Sequence, residues 1–213
     1  MNTSTPFRVL AVCSGNVCRS PLAELLLRNG LSARADLVVV SAGTIARPGQ
    51  RMAAEMISAG VPFGLDPDAA VHHRAARLSE QSVAKADLIL GLTREHRAAA
   101  VGIRPGAVSR TFTLNEFSRL VSAAEARSEL TPAALVAGAA SRRGPGAPRD
   151  PSLDDIDDPI GLPREEYDRV SAEIAQAVQG IVHALLDTKP SAGAQPRAPG
   201  SRTPALSFSF RPS

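Results

Sequence analysis

The sequence predicts an α/β protein with three layers, in which a central, four-stranded, parallel twisted sheet is flanked by helices. Short apolar segments rich in β-branched residues alternate along the chain with segments of helical periodicity. Strands separated in this way pair in parallel through right-handed crossovers. Hydrophobic residues make up 44% of the 213, enough for one sizeable core. No apolar run approaches the roughly 20 residues that span a bilayer.

Four segments have the composition of strands. The first is F-R-V-L-A-V at residues 7–12, which is apolar with little alternation, as is typical of a strand buried on both faces. The others are predicted at 37–41, 86–92 and 109–113.

Helices are predicted between these strands and after them. Ser20 is a good N-cap for the first helix, Pro21 suits its first position, and Asn29-Gly30 is a typical end. The last helix is predicted over 164–186, where apolar residues recur every three or four positions. Further helices are predicted at 50–59, 94–101 and 114–126.

The domain is predicted to cover residues 1–187. Residues 128–152 are rich in Ala, Gly, Pro and Arg, which indicates a mobile insertion with one short helix near 132–138. Residues 188–213 consist largely of Pro, Ser, Gly and Arg and are expected to form a disordered basic tail.

The net charge of +3 does not indicate a nucleic-acid partner, because the basic excess lies in the tail. From Thr188 onward there are four basic residues and no acidic ones, and removing them from the 24 basic residues brings the rest close to balance with 21 acidic residues. A solvated end explains such a tail more simply than an anionic partner does. Residues 1–7 lack the features of a secretion signal, so a cytoplasmic location without a membrane partner is expected.

Cys13 and Cys18 are the chain's two cysteines, and one pair in 213 residues is not a disulfide framework. They lie in C-S-G-N-V-C-R-S, between the first predicted strand and the first predicted helix. In open parallel sheets, ligands bind at the carboxyl ends of strands. This loop is therefore the leading candidate for a functional site.

The loop has the features of a phosphate cradle with a nucleophile at its floor. Gly15 lets the backbone turn so that successive N–H groups face one concavity, and at a helix N-terminus such a nest binds a tetrahedral dianion. Arg19 adds a planar fork of donors matched to two phosphate oxygens. These groups favour the thiolate of Cys13, and a thiolate under a bound phosphate is aimed at phosphorus.

The segment V-C-S-G-N-V-C-R-S-P-L-A-E resembles the signature of the low-molecular-weight protein tyrosine phosphatases. The resemblance covers most of residues 7–186, with 128–152 as an insertion. The other stretches that carry it are S-A-G-T from Ser41, His73-Arg74, A-D-L-I-L-G-L-T-R-E-H-R from Ala86 and D-D-P-I-G from Asp157.

The resemblance implies a role for several residues. Cys13 matches the nucleophile, and Arg19 matches the phosphate clamp. Asp158 matches the general acid that protonates the leaving oxygen and then activates water against a cysteinyl-phosphate. Ser20 matches the hydroxyl that hydrogen-bonds the thiolate, and Asn16 matches a residue that holds the loop in shape. The remaining loop residues are expected to bind phosphate or support the loop: Ser14, Gly15, Val17 and Cys18.

Three of these assignments have alternatives. Asp158 is one of several nearby acids, but Pro159 restricts its conformation and the last helix follows closely; Asp157 is the main alternative. Cys18 is either a core thiol or, as the resemblance implies, the partner of Cys13 in a reversible disulfide. His73 either supports the loop through Asn16, as in the family, or is an ordinary surface or core histidine.

No cofactor and no metal are predicted. The four histidines lack metal-site spacing, and the chain lacks the G-x-x-x-x-G-K-[ST] pattern of a nucleotide-binding loop. The histidines are His72, His73, His96 and His183.

The predicted function is hydrolysis of a phosphomonoester, with protein phosphotyrosine or a small aryl phosphate as substrate and a tyrosine kinase as a partner that the family suggests. Tyrosine-specific relatives usually carry aromatic residues after Asp-Pro, whereas Ile160 and Gly161 stand here, so an open pocket with broad aryl-phosphate activity is expected. Relatives that act on phosphoarginine tend to have threonine at the position of Val17, but a phosphoarginine phosphatase remains an alternative.

Two further alternatives remain. Arsenate mimics phosphate, so the chain could be an arsenate reductase that uses a small external thiol; a version with an internal disulfide shuttle needs another cysteine, and none follows Cys18. An inactive phosphate-binding module would be expected to lack the nucleophile, the clamp or the acid, and all three are present.

Overall fold

The structure is a computed structural model that describes residues 5–122, 128–144 and 151–190. Its four strands form one parallel sheet in the order β2-β1-β3-β4, which confirms the predicted architecture. The strands lie within two residues of the predicted bounds: β1 Phe7–Cys13, β2 Leu37–Gly43, β3 Leu88–Gly91 and β4 Thr111–Thr113.

Helices cover both faces of the sheet. In the described residues the α-helices are α1 Arg19–Gly30, α2 Ala54–Gly60, α3 Pro67–His72, α4 Glu80–Lys85, α5 Arg94–Ile103, α6 Leu114–Ser122, α7 Pro132–Ser141 and α8 Arg164–Leu186. Short 3₁₀ segments lie at Val61–Phe63, Pro105–Arg110 and Pro151–Asp154. None of the described helices combines the length and the apolar character that crossing a membrane requires.

Side chains alternate between the two faces of β1, as expected for a strand buried on both sides. Val9, Ala11 and Cys13 belong to the larger core, which also contains side chains of α1, α6 and α8. Leu10 and Val12 face a smaller core that includes side chains of α4 and α5. The Cys13 side chain therefore points toward the α1 side of the sheet, at the carboxyl end of the strand.

Two predicted helix starts are wrong, and both errors lie beside the loop at 14–18. α1 begins at Arg19, so Ser20 lies inside its first turn and is not the N-cap; its hydroxyl bonds within the loop instead. α2 begins at Ala54 and not at residue 50, because residues 50–53 run along the loop. There Ala53 N–H donates to Val17 O at 2.8 Å, and Gln50 O accepts from Ala75 N–H.

The described part of the predicted insertion, residues 128–144, contains a helix that packs on the core. The predicted short helix is present as α7 and runs three residues further than expected. The Thr131 hydroxyl caps it by accepting from Ala134 N–H at 3.2 Å, and Leu135 and Ala139 are buried in the core. Residues 145–150 lie outside the described residues.

The start of the predicted tail is anchored where the structure describes it. Thr188 is buried, and Arg34 donates to the Thr188 and Leu185 carbonyl oxygens while pairing with Asp36. Residues 191–213 lie outside the described residues, as do residues 123–126 of the helix predicted at 114–126.

Candidate active site

The loop of residues 14–18 connects β1 to α1, and its shape depends on Asn16. Asn16 adopts a left-handed conformation (φ +54°), which asparagine tolerates better than most residues. The side chain is fully buried and each of its polar atoms is bonded. Nδ2 donates to the hydroxyls of Ser20 and Ser41 at 3.0 and 2.8 Å, and Oδ1 accepts from Ala76 N–H at 2.8 Å.

His73 lies outside the loop and also hydrogen-bonds to Asn16. Its Nε2 lies 2.9 Å from Asn16 O, so the ring N–H donates to that carbonyl. The histidine is half-buried, and its position favours loop support over an ordinary surface role.

The Cys13 sulfur lies against two hydrogen-bond donors. Asn16 N–H donates to Sγ at 3.2 Å, and Ser20 Oγ lies 2.9 Å from it. The Ser20 oxygen accepts from Asn16 Nδ2, and its proton has two acceptors in range, the sulfur at 2.9 Å and Ala42 O at 3.4 Å, of which the sulfur is nearer. Sγ also lies by the N-terminus of α1, whose partial positive charge favours an anion there. These surroundings suit a thiolate.

Gly43 lets β2 approach the back of the loop. It pairs with Cys13 in the sheet, and a Cβ on it would lie 2.5 Å from Ser14 O and 2.8 Å from Asn16 N. No side chain fits at those distances. The following residues line the loop, since Thr44 and Ile45 N–H groups donate to the carbonyls of Cys13 and Ser14 at 2.9 and 3.0 Å.

Arg19 holds its guanidinium inside the site, where its side chain is 4% exposed. Nη1 donates to Ile156 O at 2.9 Å, and Nη2 pairs with the Asp158 carboxylate and lies 3.5 Å from Ser14 Oγ. Nε is buried and has no hydrogen-bond partner among the described residues. Buried donors are normally bonded, so Nε is available for a ligand oxygen.

Contacts distinguish the described acids before α8. Asp154 pairs with Arg119, Asp155 binds the backbone and guanidinium of Arg94, and Asp157 pairs with Arg169. Asp158 differs because it pairs with Arg19 beside the loop, with its side chain 41% exposed. Asp150 lies outside the described residues. Among these carboxylates, Asp158 is therefore the one placed to exchange a proton with a group bound at the loop.

The acid-bearing segment, residues 156–161, contains Asp158 and is held in place by hydrogen bonds that the sequence did not indicate. Ile156 N–H donates to Leu92 O at 2.8 Å, and the Tyr167 hydroxyl accepts from Gly161 N–H at 3.3 Å. Leu92 directly follows β3 and Tyr167 lies in α8, so the two partners are far apart from each other in the chain. Tyr167 is thus buried beneath this segment and does not form a wall of the site.

His96 is a further site residue that the sequence analysis missed. It lies in the first turn of α5 and contacts Ser14, the first residue of the loop, at 2.9 Å. The T-R-E-H segment is a recognisable helix start, but nothing in it indicates a contact with a loop 82 residues away.

Val17 and Cys18 are the last two residues of the loop, and both side chains are buried. Burial raises the pKa of the Cys18 thiol, and the Asp158 carboxylate acts in the same direction, so the thiol is neutral. Both cysteines are free thiols. Val17 packs with Ala46 and Ala75 in a small apolar cluster.

Two exposed aliphatic residues follow segments that contact the loop. Ile45 follows β2 and is 70% exposed, and Ile160 follows Asp158-Pro159 and is 51% exposed. The described aromatic residues lie elsewhere: Phe7 at the amino end of β1, Phe63 beyond α2, Phe112 and Phe117 in the core, and Tyr167 beneath the acid-bearing segment.

Comparisons with known proteins identify the family of this chain. The family model described as "Low molecular weight phosphotyrosine protein phosphatase" matches residues 8–127. The chain is 33% identical over 112 residues to a protein-arginine-phosphatase of Geobacillus stearothermophilus, covering 53% of this chain and 72% of the relative. It is 32% identical over 123 residues to a probable low molecular weight protein-tyrosine-phosphatase, EpsP, of Ralstonia nicotianae, covering 58% and 81%.

Two solved structures of phosphatases are similar to this chain over most of its length. The YwlE arginine phosphatase from Geobacillus stearothermophilus aligns with a TM-score of 0.62 at 28% identity, over 85% of this chain and 94% of that one. A low molecular weight protein tyrosine phosphatase from T. tengcongensis aligns with a TM-score of 0.61 at 27% identity, over 83% and 98%.

The fold, the loop and these matches define a phosphatase, an enzyme that hydrolyses phosphomonoesters. The chain belongs to the low molecular weight phosphotyrosine protein phosphatase family, as its motifs predicted. The family acts on phosphorylated proteins.

Proposed function

We propose that Cys13, Arg19 and Asp158 hydrolyse phosphotyrosine on proteins through a cysteinyl-phosphate intermediate. The observation that carries this proposal is that Asp158, 139 residues further along the chain than Arg19, lies beside the loop that holds Cys13 and Arg19. The Cys13 sulfur lies at the base of the loop, and Arg19 contacts both that loop, through Ser14, and the Asp158 carboxylate.

In the first step, the Cys13 thiolate attacks phosphorus, an S–P bond forms, and the bond from phosphorus to the ester oxygen breaks. Asp158 gives its proton to the leaving oxygen. Arg19 binds the equatorial phosphate oxygens through Nε and one Nη, and its buried, unbonded Nε supports this role. The incoming dianion displaces the Asp158 carboxylate from the guanidinium, and the carboxylate takes up from water the proton that it then gives to the leaving oxygen.

In the second step, Asp158 removes a proton from water, and the water oxygen attacks phosphorus. The S–P bond breaks, Cys13 returns as the thiolate, and inorganic phosphate leaves. The Ser20 hydroxyl, 2.9 Å from Sγ, stabilises the sulfur anion as the leaving group of this step.

Phosphotyrosine is the proposed substrate because the base of the loop is apolar at Val17, which packs with Ala46 and Ala75. Ile45 and Ile160 offer aliphatic contacts to a phenyl ring but no aromatic stacking, which supports broad aryl-phosphate activity. A tyrosine kinase that phosphorylates the same proteins is the partner that fits this activity.

Phosphoarginine is the second candidate substrate. A similar sequence and a similar solved structure, both from Geobacillus stearothermophilus, are named arginine phosphatases, and the described aromatic residues lie away from the loop. Turnover of matched phosphotyrosine and phosphoarginine peptides separates the two, and a clear preference for phosphoarginine would reject the tyrosine assignment.

The proposed roles are tested by p-nitrophenyl phosphate and phenyl phosphate turnover in the wild type, Cys13→Ser and Asp158→Asn. Cys13→Ser is expected to lose nearly all activity. Asp158→Asn is expected to lose about 10²–10⁴-fold, the usual contribution of a general acid, and more with phenyl phosphate because its leaving group is poorer. Equal losses with both substrates, or an active Cys13→Ser variant, would contradict these roles.

A further inference from the structure

We propose that the Ser14 hydroxyl donates a hydrogen bond to an oxygen of the bound phosphate, and that His96 and Thr93 hold it in that orientation. Ser14 would thus be a side-chain donor in a cradle otherwise built from backbone N–H groups and Arg19. His96 and Thr93 would be positioning residues, since they act through Ser14. This inference rests on the proposed function, because it assigns a contact to the same phosphate.

The three side chains form a continuous hydrogen-bonded chain. His96 Nε2 lies 2.9 Å from Ser14 Oγ, and His96 Nδ1 lies 2.9 Å from Thr93 Oγ1. The His96 residue is 5% exposed, so both ring nitrogens have protein partners and little access to water. The chain therefore links the N-terminus of α5 to the first residue of the loop.

The imidazole in this chain is neutral. Burial lowers the pKa of His96 to about 4, with a further lowering by the Arg19 charge. The carboxylates of Asp158 and Asp155 oppose this shift but do not overcome it. A neutral imidazole has one N–H and one bare nitrogen, so the chain has a direction.

Thr93 sets that direction. It is the N-cap of α5, and its oxygen accepts the His96 backbone N–H at 3.4 Å. With one lone pair in use, the hydroxyl can still donate its proton, and we assign that proton to His96 Nδ1, which makes Nδ1 the accepting nitrogen. The ring proton resides on Nε2 as a consequence, and Nε2–H donates to Ser14 Oγ.

Ser14 Oγ is then an acceptor from two sides. Nε2–H of His96 approaches at 2.9 Å, and Nη2 of Arg19 lies 3.5 Å away. A hydroxyl has two accepting lone pairs and one proton, so these donors direct the Ser14 proton away from both of them. The acceptor that we expect for the Ser14 proton is an oxygen of a phosphate bound between the loop and the Arg19 guanidinium.

The inference is tested by combining Ser14→Ala with Thr93→Val and Thr93→Ser. Affinity for inorganic phosphate is measured by calorimetry, and kcat and KM are measured with p-nitrophenyl phosphate. A hydrogen bond to a charged group corresponds to about 10- to 100-fold, so Ser14→Ala should weaken phosphate binding and kcat/KM by that factor. Thr93→Val should cause a smaller loss in the same direction, whereas Thr93→Ser, which keeps the hydroxyl, should match the wild type.

The decisive result is the double variant. If Thr93 acts through Ser14, adding Thr93→Val to Ser14→Ala causes no further loss of phosphate affinity. Thr131→Val is the matched control, because it removes the same kind of N-cap from α7 and should lower stability without changing phosphate affinity.

Two outcomes would overturn the inference: unchanged phosphate affinity in Ser14→Ala, or losses that add independently in the double variant. Both can occur in an enzyme that is fully dependent on Cys13, so the inference can fail while the proposed function stands. An active Cys13→Ser variant would instead reject the proposed function, and the calorimetric comparison would still decide the role of Ser14 in anion binding.

Discussion

Asn16, Ser41 and Glu24 form a part-buried hydrogen-bonded chain that supports the Cys13 loop. Asn16 Nδ2 donates to Ser41 Oγ, and the Ser41 hydroxyl donates to Glu24 Oε2 at 2.6 Å. Each residue comes from a different element: the loop, β2 and α1. The family resemblance implied that Asn16 supports the loop, but a motif contains no information on partners that only the folded chain brings together.

His96 also determines how stability depends on pH. Its pKa in the folded protein is about 4, below the ordinary 6.5 of an unfolded chain. Between these values the unfolded state binds more protons, so stability falls as pH falls from about 6.5 to 4 and is fully present above 6.5. The contribution of this residue is on the order of 3 kcal/mol at most.

A His96→Gln variant should therefore show a smaller loss of unfolding free energy between pH 7 and pH 4.5 than the wild type. Urea unfolding at the two pH values measures this difference within each variant. His183→Gln is the matched control, because it removes an exposed histidine on α8 and so separates the effect of burying a histidine from the effect of losing one. Identical pH dependence in wild type and His96→Gln would contradict a buried neutral imidazole.

At the scale of elements, the end of β2 packs closely against the loop at Gly43. Gly43→Ala would push a methyl group against Ser14 O and Asn16 N, two backbone atoms that cannot rotate away. We expect kcat/KM to fall at least tenfold and stability to fall by about 1–3 kcal/mol.

Gly102→Ala is the control for that substitution. Gly102 lies in α5, and a methyl group added to it would have no neighbouring atom within 4 Å, so alanine should keep activity and raise stability by up to about 1 kcal/mol. Thermal unfolding and p-nitrophenyl phosphate turnover measure both variants. A fully active Gly43→Ala enzyme would show that the loop does not need this close approach.

Predictability differed among the elements for physical reasons. α8 was predicted with its observed bounds because 23 residues repeat one amphipathic pattern. α3 and α4 were not predicted, since each has six residues and depends on local caps, Asp66 and Ser79. Ser20 has the chemistry of an N-cap, but its hydroxyl is used by Cys13 and Asn16.

Across the whole molecule, the site joins segments that are far apart in the chain. Arg19 reaches Ile156 and Asp158, and Arg94 at the start of α5 binds Asp155. The sheet order places β1 beside β3, which brings the loop and the start of α5 to one edge. The motif pointed to Cys13, Arg19 and Asp158 from sequence alone. The hydrogen bonds that join Ser14, His96 and Thr93 depend on this topology and could not be predicted from the motif.

The central claim is that phosphate passes through the Cys13 sulfur. It is tested most directly by acid quenching Asp158→Asn during p-nitrophenyl phosphate turnover, followed by peptide mass spectrometry. The good leaving group lets the first step proceed, and the missing base slows the attack by water, so one phosphoryl group should accumulate on Cys13. Continued release of nitrophenol and phosphate with Cys13 unmodified at every time point, or a phosphoryl group on another residue, would contradict the claim.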